Sequence, residues 1–126
     1  MPPRSTKPVF LNLLQIKLPW MGLVSILHRI TGLLLFLAIP LCFYLLELSL
    51  HGEAGFNQVV AIMQSLPFKL FALVLLWVFL HHLLAGIRFL LIDLDIGVNL
   101  PRARQSAVSV FISGLLLAPI AWMLIL

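Results

Sequence analysis

Three long runs of apolar residues, at 21–50, 68–94 and 106–126, constrain this chain more than any other feature of its sequence. A membrane-spanning helix needs about 20 apolar residues at a rise of about 1.5 Å each, and every run is long enough. Because lipid offers no hydrogen bonds to the backbone, such runs form helices. The sequence therefore predicts an all-α membrane protein, in which a short segment (1–20) precedes a domain of three transmembrane helices (21–126).

The composition supports a membrane protein and argues against two other classes. Of the 126 residues, 63% are hydrophobic and only 10% are charged, which is too little charge for the surface of a soluble domain. The net charge of +4 would suit a nucleic-acid-binding protein, but the basic residues flank the apolar runs instead of clustering on one face. The single cysteine, Cys42, lies inside an apolar run and is predicted to be a buried packing residue.

The distribution of basic residues predicts the orientation in the membrane. The basic residues before the first run and before the third run are Arg4, Lys7, Lys17, Arg102 and Arg104. By the positive-inside rule, segment 1–20 and the second connection are cytoplasmic, and the C-terminus is periplasmic. No cleavable signal pattern is present at the N-terminus, so a bacterial inner membrane is the expected location. The first connection (51–67) has room for a short interfacial helix.

Polar side chains within the first two runs are few and occur in two groups. The informative ones are Ser25, His28 and Arg29 in the first run and His81, His82 and Arg88 in the second. Ionisable groups inside a membrane are costly and usually mark function. In the first helix, Ser25, His28, Arg29, Gly32 and Phe36 recur at helical spacing, which predicts that they share one face.

The second helix suggests a haem site. His82, Gly86, Phe89 and Asp93 fall on one face by their spacing, and a neutral histidine is a good axial ligand of haem iron. Counting residues from the helix ends places His82 roughly 6–8 Å deeper than His28 and Arg29. Haem propionates could then point to the cytoplasmic side, toward those two cationic groups.

Other interpretations of these histidines stay open on the residues alone. His81 is adjacent to His82 and is a second candidate ligand, although Gly86, one turn from His82, offers the clearance that a flat macrocycle needs. A membrane histidine can also serve only to hydrogen-bond a neighbouring helix.

The third run contains no ionisable residue. Its serines Ser106, Ser109 and Ser113 form a stripe at helical spacing, which predicts a face that packs against another helix.

Two motifs resemble one known family. Residues 25–32, with the pattern S-x-x-H-R-x-[ST]-G, and residues 82–89, with H-x-x-x-G-x-R-[HF], are similar to signatures of the cytochrome b556 subunit of succinate dehydrogenase. The lead-in at 7–19 is similar too, with Lys7 where that family has arginine. Ile92 and Asp95 depart from the family's usual residues, and both departures lie outside the two motifs.

The resemblance implies a role in respiratory complex II. Such a chain is one of two small membrane anchors that hold a flavoprotein subunit and an iron–sulfur subunit at the cytoplasmic face. Electrons from succinate oxidation pass through the iron–sulfur centres to ubiquinone, and the anchor itself is not the catalytic head.

The resemblance also implies residue roles. His82 corresponds to an axial ligand of haem b, whose other axial histidine comes from the second anchor. Ser25 and Arg29 correspond to residues of the quinone pocket, and His28 and Arg29 to residues that reach the haem propionates. A nucleic acid is not an expected partner.

Three alternatives carry different expectations. The anchor of a quinol:fumarate reductase would run the reaction in reverse, and the sequence does not set that direction. A transporter or channel would need a polar track across the full bilayer, which the third run does not offer. A self-contained cytochrome would ligate one iron with both His28 and His82, for which their expected difference in depth is unfavourable.

Overall fold

A computed structural model describes residues 18–125 and the side chains as far as Met123. Over that range the chain forms four α-helices, α1 (Trp20–Ser49), α2 (Gly52–Gln64), α3 (Leu66–Asp93) and α4 (Leu100–Ile125). Helices α1, α3 and α4 are each long and apolar enough to cross a bilayer. The predicted all-α fold with three spanning helices is therefore confirmed, whereas most of the expected segment 1–20 lies outside the described residues.

Short non-helical segments separate the helices. Before α3, the side chain of Ser65 accepts a hydrogen bond from the backbone N–H of Phe68 at 3.4 Å, which caps the new helix. Between α3 and α4 the chain reverses through two residues with positive φ, Asp95 at 60° and Gly97 at 76°. Helix α2 occupies the connection for which the sequence predicts a short helix, and that prediction is confirmed.

Helix α4 begins earlier than the third apolar run. The run starts at residue 106, whereas the helix starts at Leu100 and includes Arg102 and Arg104 in its first turns. Hydropathy marks where charge stops, but a helix continues beyond the apolar stretch because backbone hydrogen bonding does not depend on side-chain polarity. The two arginines thus extend from the end of a spanning helix, where long side chains can reach the membrane surface.

The outer surface of the bundle is apolar. Large side chains such as Phe36, Phe43 and Leu90 are about two-thirds exposed, and each lies on a helix long enough to span a bilayer. A water-soluble protein does not leave so much contiguous apolar area exposed. The surface is consistent with a protein that lies within lipid and against other membrane chains.

Small residues bring the three long helices together. The centre of the packing is formed by Val24 of α1, Ala85 of α3 and Ala107 of α4, none of which has exposed surface. Within α4 the buried residues Ala103, Ala107, Gly114 and Ala118 recur at helical spacing. Small side chains allow helix backbones to approach closely, which is the main source of packing energy between helices in lipid.

The serine stripe predicted as the packing face of α4 is only partly correct. Ser109 is exposed, Ser113 is half-buried, and the alanine and glycine stripe makes the close contact. Ser106 does contribute, because its hydroxyl accepts a hydrogen bond from Nε of Arg88 at 2.9 Å. Nη2 of Arg88 also donates to the backbone oxygen of Ala103 at 3.0 Å, so this guanidinium ties α3 to α4.

Replacing Ser106 with alanine is expected to destabilise the bundle by about 1–2 kcal/mol, because Nε of the buried Arg88 loses its acceptor. The free energy of unfolding in mixed detergent–SDS titrations measures the effect. Ser109→Ala, one turn along the same helix at an exposed position, is the matched control and should change the free energy little. Equal losses in both variants would contradict a role for the interhelical hydrogen bond.

Candidate functional site

His82 is held in a defined orientation by α1. Its Nδ1 lies 3.1 Å from the backbone oxygen of His28 and 3.3 Å from Oγ1 of Thr31. A carbonyl oxygen can only accept a hydrogen bond, so the contact with His28 requires the proton to be on Nδ1. The lone pair of the neutral imidazole is then on Nε2, the nitrogen that is not engaged in these contacts.

The hydroxyl group of Thr31 supports the same contact. Its hydroxyl is 2.8 Å from the backbone oxygen of Leu27 and 3.0 Å from that of His28, both of which can accept its proton. The oxygen of Thr31 keeps a lone pair toward Nδ1 of His82. Thr31 is almost fully buried, and the sequence analysis assigned it no role of its own. The sequence signal that could have identified Thr31 was its position in the S-x-x-H-R-x-[ST]-G pattern.

Gly32 allows the ring of His82 to approach α1. A Cβ atom at this position would lie 2.9 Å from Cε1 and 3.3 Å from Nδ1 of His82. A contact of 2.9 Å is shorter than a Cβ atom tolerates, so any larger residue would push the ring away from the carbonyl that orients it. The close approach between the first two spanning helices thus depends on glycine at this position.

The rings of His28 and His82 stack face to face. Their centroids are 4.2 Å apart and their planes differ by only 9°. The depth difference of roughly 6–8 Å expected from residue counting is therefore wrong. That count assumed that the ends of α1 and α3 lie at the same height, and the contact shows that His28 and His82 are at one level.

Stacking is also incompatible with a single iron held by both rings. The lone pair of an imidazole nitrogen lies in the plane of its ring, so ligation requires the metal to lie in that plane. The lone pairs of two parallel, stacked rings lie in two separate planes, so they cannot both point at one metal ion. In this arrangement His28 and His82 cannot be the two axial ligands of one haem.

His81 lies on a different side of α3. It has no exposed surface, and its side chain packs against Gly114 of α4 and stacks on Trp77 with ring centroids 5.6 Å apart. Both of its ring nitrogens and the indole nitrogen of Trp77 are buried without a hydrogen-bond partner in the described part of the chain. His81 therefore faces the α3–α4 contact, where a macrocycle has no access.

The five residues of α1 that were predicted to share one face do not share one environment. Gly32 lies against His82, His28 and Ser25 are half-buried, and Arg29 is exposed. Phe36 is 66% exposed and continues the outer edge of the stripe. The structure thus brings His28 and His82 together and leaves Arg29 on the outer surface beside them.

Gly86 contacts His28, and Phe89 completes the surroundings of that ring. A Cβ atom at Gly86 would lie 3.4 Å from Nε2 of His28, and the ring of Phe89 meets His28 edge-on at 5.3 Å. Sequence reasoning gave Gly86 the role of clearing space beside His82. In the structure, the space beside Gly86 is next to the imidazole of His28.

The site offers one oriented imidazole lone pair, a second imidazole and the exposed guanidinium of Arg29. Within the described residues, no three His, Cys, Asp or Glu side chains come together as a metal site. A single histidine holds a metal ion poorly on its own but serves as one axial ligand of a haem, whose macrocycle supplies the other four nitrogens. The guanidinium of Arg29 suits a carboxylate or a reducible carbonyl compound, and the imidazole of His28 can hydrogen-bond to either.

Cys42 was predicted to be buried, and that prediction is wrong for the single chain. Its side chain is exposed and lines an apolar groove of about 460 Å³ between α1 and α3, together with Phe79. An apolar residue in a spanning helix is sheltered from water by lipid or another chain, so burial within one chain does not follow from hydropathy.

Comparisons with known proteins agree on one family. Residues 3–121 match the family described as the succinate dehydrogenase/fumarate reductase transmembrane subunit. A succinate dehydrogenase cytochrome b556 subunit of Coxiella burnetii is 38% identical over 107 residues, covering 84% of this chain and 86% of that protein. The protein of the same name from Paracoccus denitrificans is 27% identical over 115 residues, covering 91% and 88%.

Proposed function

Since the chain belongs to the succinate dehydrogenase/fumarate reductase transmembrane subunit family, we propose that it ligates haem b through His82 and completes a quinone site with Ser25 and Arg29. Its role is that of the membrane-anchor cytochrome b subunit of succinate dehydrogenase, not of the catalytic head. Both relatives described above bear the succinate dehydrogenase name, which favours that enzyme over a fumarate reductase.

The orientation of His82 carries the haem assignment. A metal-bound histidine typically donates its other ring N–H to a carbonyl, which fixes its tautomer and raises its basicity. Nδ1 of His82 has that partner in His28, at 3.1 Å, and Nε2 remains for the iron. Haem b, when bound, supplies a one-electron redox centre. The protein supplies the axial nitrogen and the apolar surroundings that tune its potential.

We infer that the second axial ligand comes from another chain. His28 stacks on His82 in parallel, and His81 is buried against α4, so neither can ligate the far side of a haem on His82 in this arrangement. The exposed apolar surface of α1 and α3 offers room for a partner helix. We assign the second ligand to a histidine of a second small membrane-anchor subunit.

Two side chains near His82, a guanidinium and an imidazole, suit the propionates of the haem. His28 and Arg29 follow each other on α1, one in contact with the ring of His82 and the other exposed at the surface of the chain. Opposite charges attract strongly where lipid and protein exclude water. We assign both residues to the propionates, with Arg29 shared between them and the quinone.

Ser25 and Arg29 fit a quinone-reduction site that a partner completes. They lie one helical turn apart, so that both can contact one ligand. The hydroxyl of Ser25 can donate a hydrogen bond to a quinone oxygen, and the guanidinium of Arg29 can stabilise negative charge that develops there. Ubiquinone is the quinone that we propose, and its electrons come from the iron–sulfur subunit.

The proposed assembly places four subunits at one membrane. The chain and the second anchor span the bacterial inner membrane, and the iron–sulfur and flavoprotein subunits bind at the cytoplasmic side. The excess of basic residues near the start of α1 and α4 supports a cytoplasmic N-terminus and a periplasmic C-terminus. The quinone site then lies at the end of the bundle nearest the soluble subunits.

Gly32→Ala tests the haem assignment without removing the ligand. The new methyl group would displace the ring of His82 and break its hydrogen bond to His28, so haem affinity should fall by about 10- to 100-fold. Haem titration of the purified complex, followed by its b-type absorbance, measures the change.

Gly22→Ala on the same helix is the matched control. A Cβ atom there meets only ordinary contacts, with Leu18 at 3.6 Å and Pro19 at 3.7 Å, and haem affinity should be unchanged. An unaltered affinity in Gly32→Ala would contradict the role that we give to the orientation of His82.

A further inference from the structure

A groove of about 460 Å³ lies between α3 and α4, at the end of the bundle that carries the 94–99 turn. Apolar side chains such as Ile87 and Leu91 line it, and both are exposed on the outer surface of α3. The polar side chains Arg88, Arg102 and Ser106 line the same groove. It is separate from the surface around His82, which faces α1.

Within the described residues no carboxylate pairs with Arg88, whose guanidinium lies 5.4 Å from the centre of the Phe89 ring and brings a positive charge to this groove. It is only 6% exposed, and its two hydrogen bonds go to the hydroxyl of Ser106 and the backbone oxygen of Ala103, both of which are neutral. The residues that line the groove include no carboxylate. A buried cation without a counter-charge is costly, so a negatively charged ligand here would be strongly favoured.

A second basic side chain lies at the same place. Arg102 lines the groove from the first turn of α4. Arg88 lies five residues before the end of α3, which is about 7.5 Å along the helix. The positive charges therefore lie at the depth of the boundary between lipid headgroups and acyl chains.

We propose that this groove binds an anionic phospholipid from the leaflet that contains the 94–99 turn. Its phosphate lies against Arg88 and Arg102, and its acyl chains follow Ile87 and Leu91. Basic pockets between spanning helices have the chemistry that recognises such headgroups. The apolar lining favours a lipid over a free phosphate ion, because phosphate alone would leave that surface uncovered.

Titration of phosphatidylglycerol into the delipidated complex, with bound lipids counted by native mass spectrometry, tests the proposal. Arg102→Gln should weaken binding about fivefold, the factor that one basic residue contributes near an anionic headgroup. Arg104→Gln is the matched control, because Arg104 lies two residues away and lines a different groove with Leu100. It should leave the affinity unchanged, and phosphatidylethanolamine should bind more weakly than phosphatidylglycerol.

A second pair of variants tests the groove without altering charge. Ile87→Trp fills the groove and should displace the lipid, whereas Leu83→Trp, one turn away on α3 and outside the groove, should retain it. Equal effects within either pair, or equal affinity for both lipids, would overturn the proposal.

Two other results would also overturn it. Inorganic phosphate that binds with the same dependence on Arg102 would show that the site takes a free anion. A complex that binds no phospholipid in this groove would show that the counter-charge of Arg88 comes from a partner subunit.

Discussion

His82→Ala is expected to remove nearly all b-type haem absorbance from the purified complex. The substitution takes away the one imidazole nitrogen that α1 orients outward, and neither His28 nor His81 can take its place in this arrangement. His28 stacks parallel to the ring at 4.2 Å, and His81 is buried against Gly114. Haem content per complex, from the reduced-minus-oxidised spectrum, is the measurement.

His81→Ala is the matched control for this prediction. It leaves a cavity in the α3–α4 contact, which costs stability, but haem content per assembled complex should stay close to that of the unmodified protein. His82→Gly with added imidazole offers a second readout, because a free imidazole that occupies the vacated position should restore six-coordinate haem. Loss of the b-type absorbance in His81→Ala alone would contradict the ligand assignment.

Arg29→Ala is expected to reduce succinate:ubiquinone reductase activity by about 100-fold, which is typical of losing one preorganised group that stabilises developing negative charge. Succinate oxidation with an artificial acceptor should stay nearly unchanged, because those electrons leave the enzyme before the quinone site. The ratio of the two activities in the same membrane preparation is the measurement.

Arg104→Ala is the control for charge, since Arg104 is also exposed and carries the same charge near the start of a spanning helix. Its ratio of activities should match that of the unmodified complex. Equal loss of both activities in Arg29→Ala would show that Arg29 acts mainly in assembly. Loss in quinone reduction alone would support its place in the quinone site.

The fold was predictable because hydropathy is a strong signal. Each spanning helix coincides with an apolar run, and the largest shift is the start of α4, from residue 106 to Leu100. That shift was not predictable, since the charges of Arg102 and Arg104 hide a helix that continues past the lipid boundary. Hydropathy describes where side chains prefer lipid, and the backbone can remain helical beyond that point.

Helical spacing predicted shared faces but not what each face contacts. The stripe from Ser25 to Phe36 runs along the edge between the packed interior and the outer surface, so Gly32 lies against His82 whereas Arg29 is exposed. Periodicity fixes angles around one helix. It contains no information on how a neighbouring helix is rotated or shifted along its axis. The depth predicted for His82 relative to His28 was therefore wrong.

Packing within lipid was the least predictable feature. Serines were expected to form the contact face of α4, but the close approach comes from smaller residues such as Ala107 and Gly114. Cys42 was expected to be buried, but it lies in an open groove. Apolar residues face lipid as readily as they face other helices, so hydrophobicity does not distinguish the inside of a membrane bundle from its outside.

The central claim is that this chain supplies one axial ligand, His82, to a haem b that a second anchor shares. Expressing the chain in membranes with and without that anchor, and recording the low-temperature spectrum and spin state of its haem, tests the claim most directly. Circular dichroism of the chain alone confirms that it is folded. We predict low-spin, six-coordinate haem b only when both anchors are present. Six-coordinate haem b in the chain alone would contradict the claim.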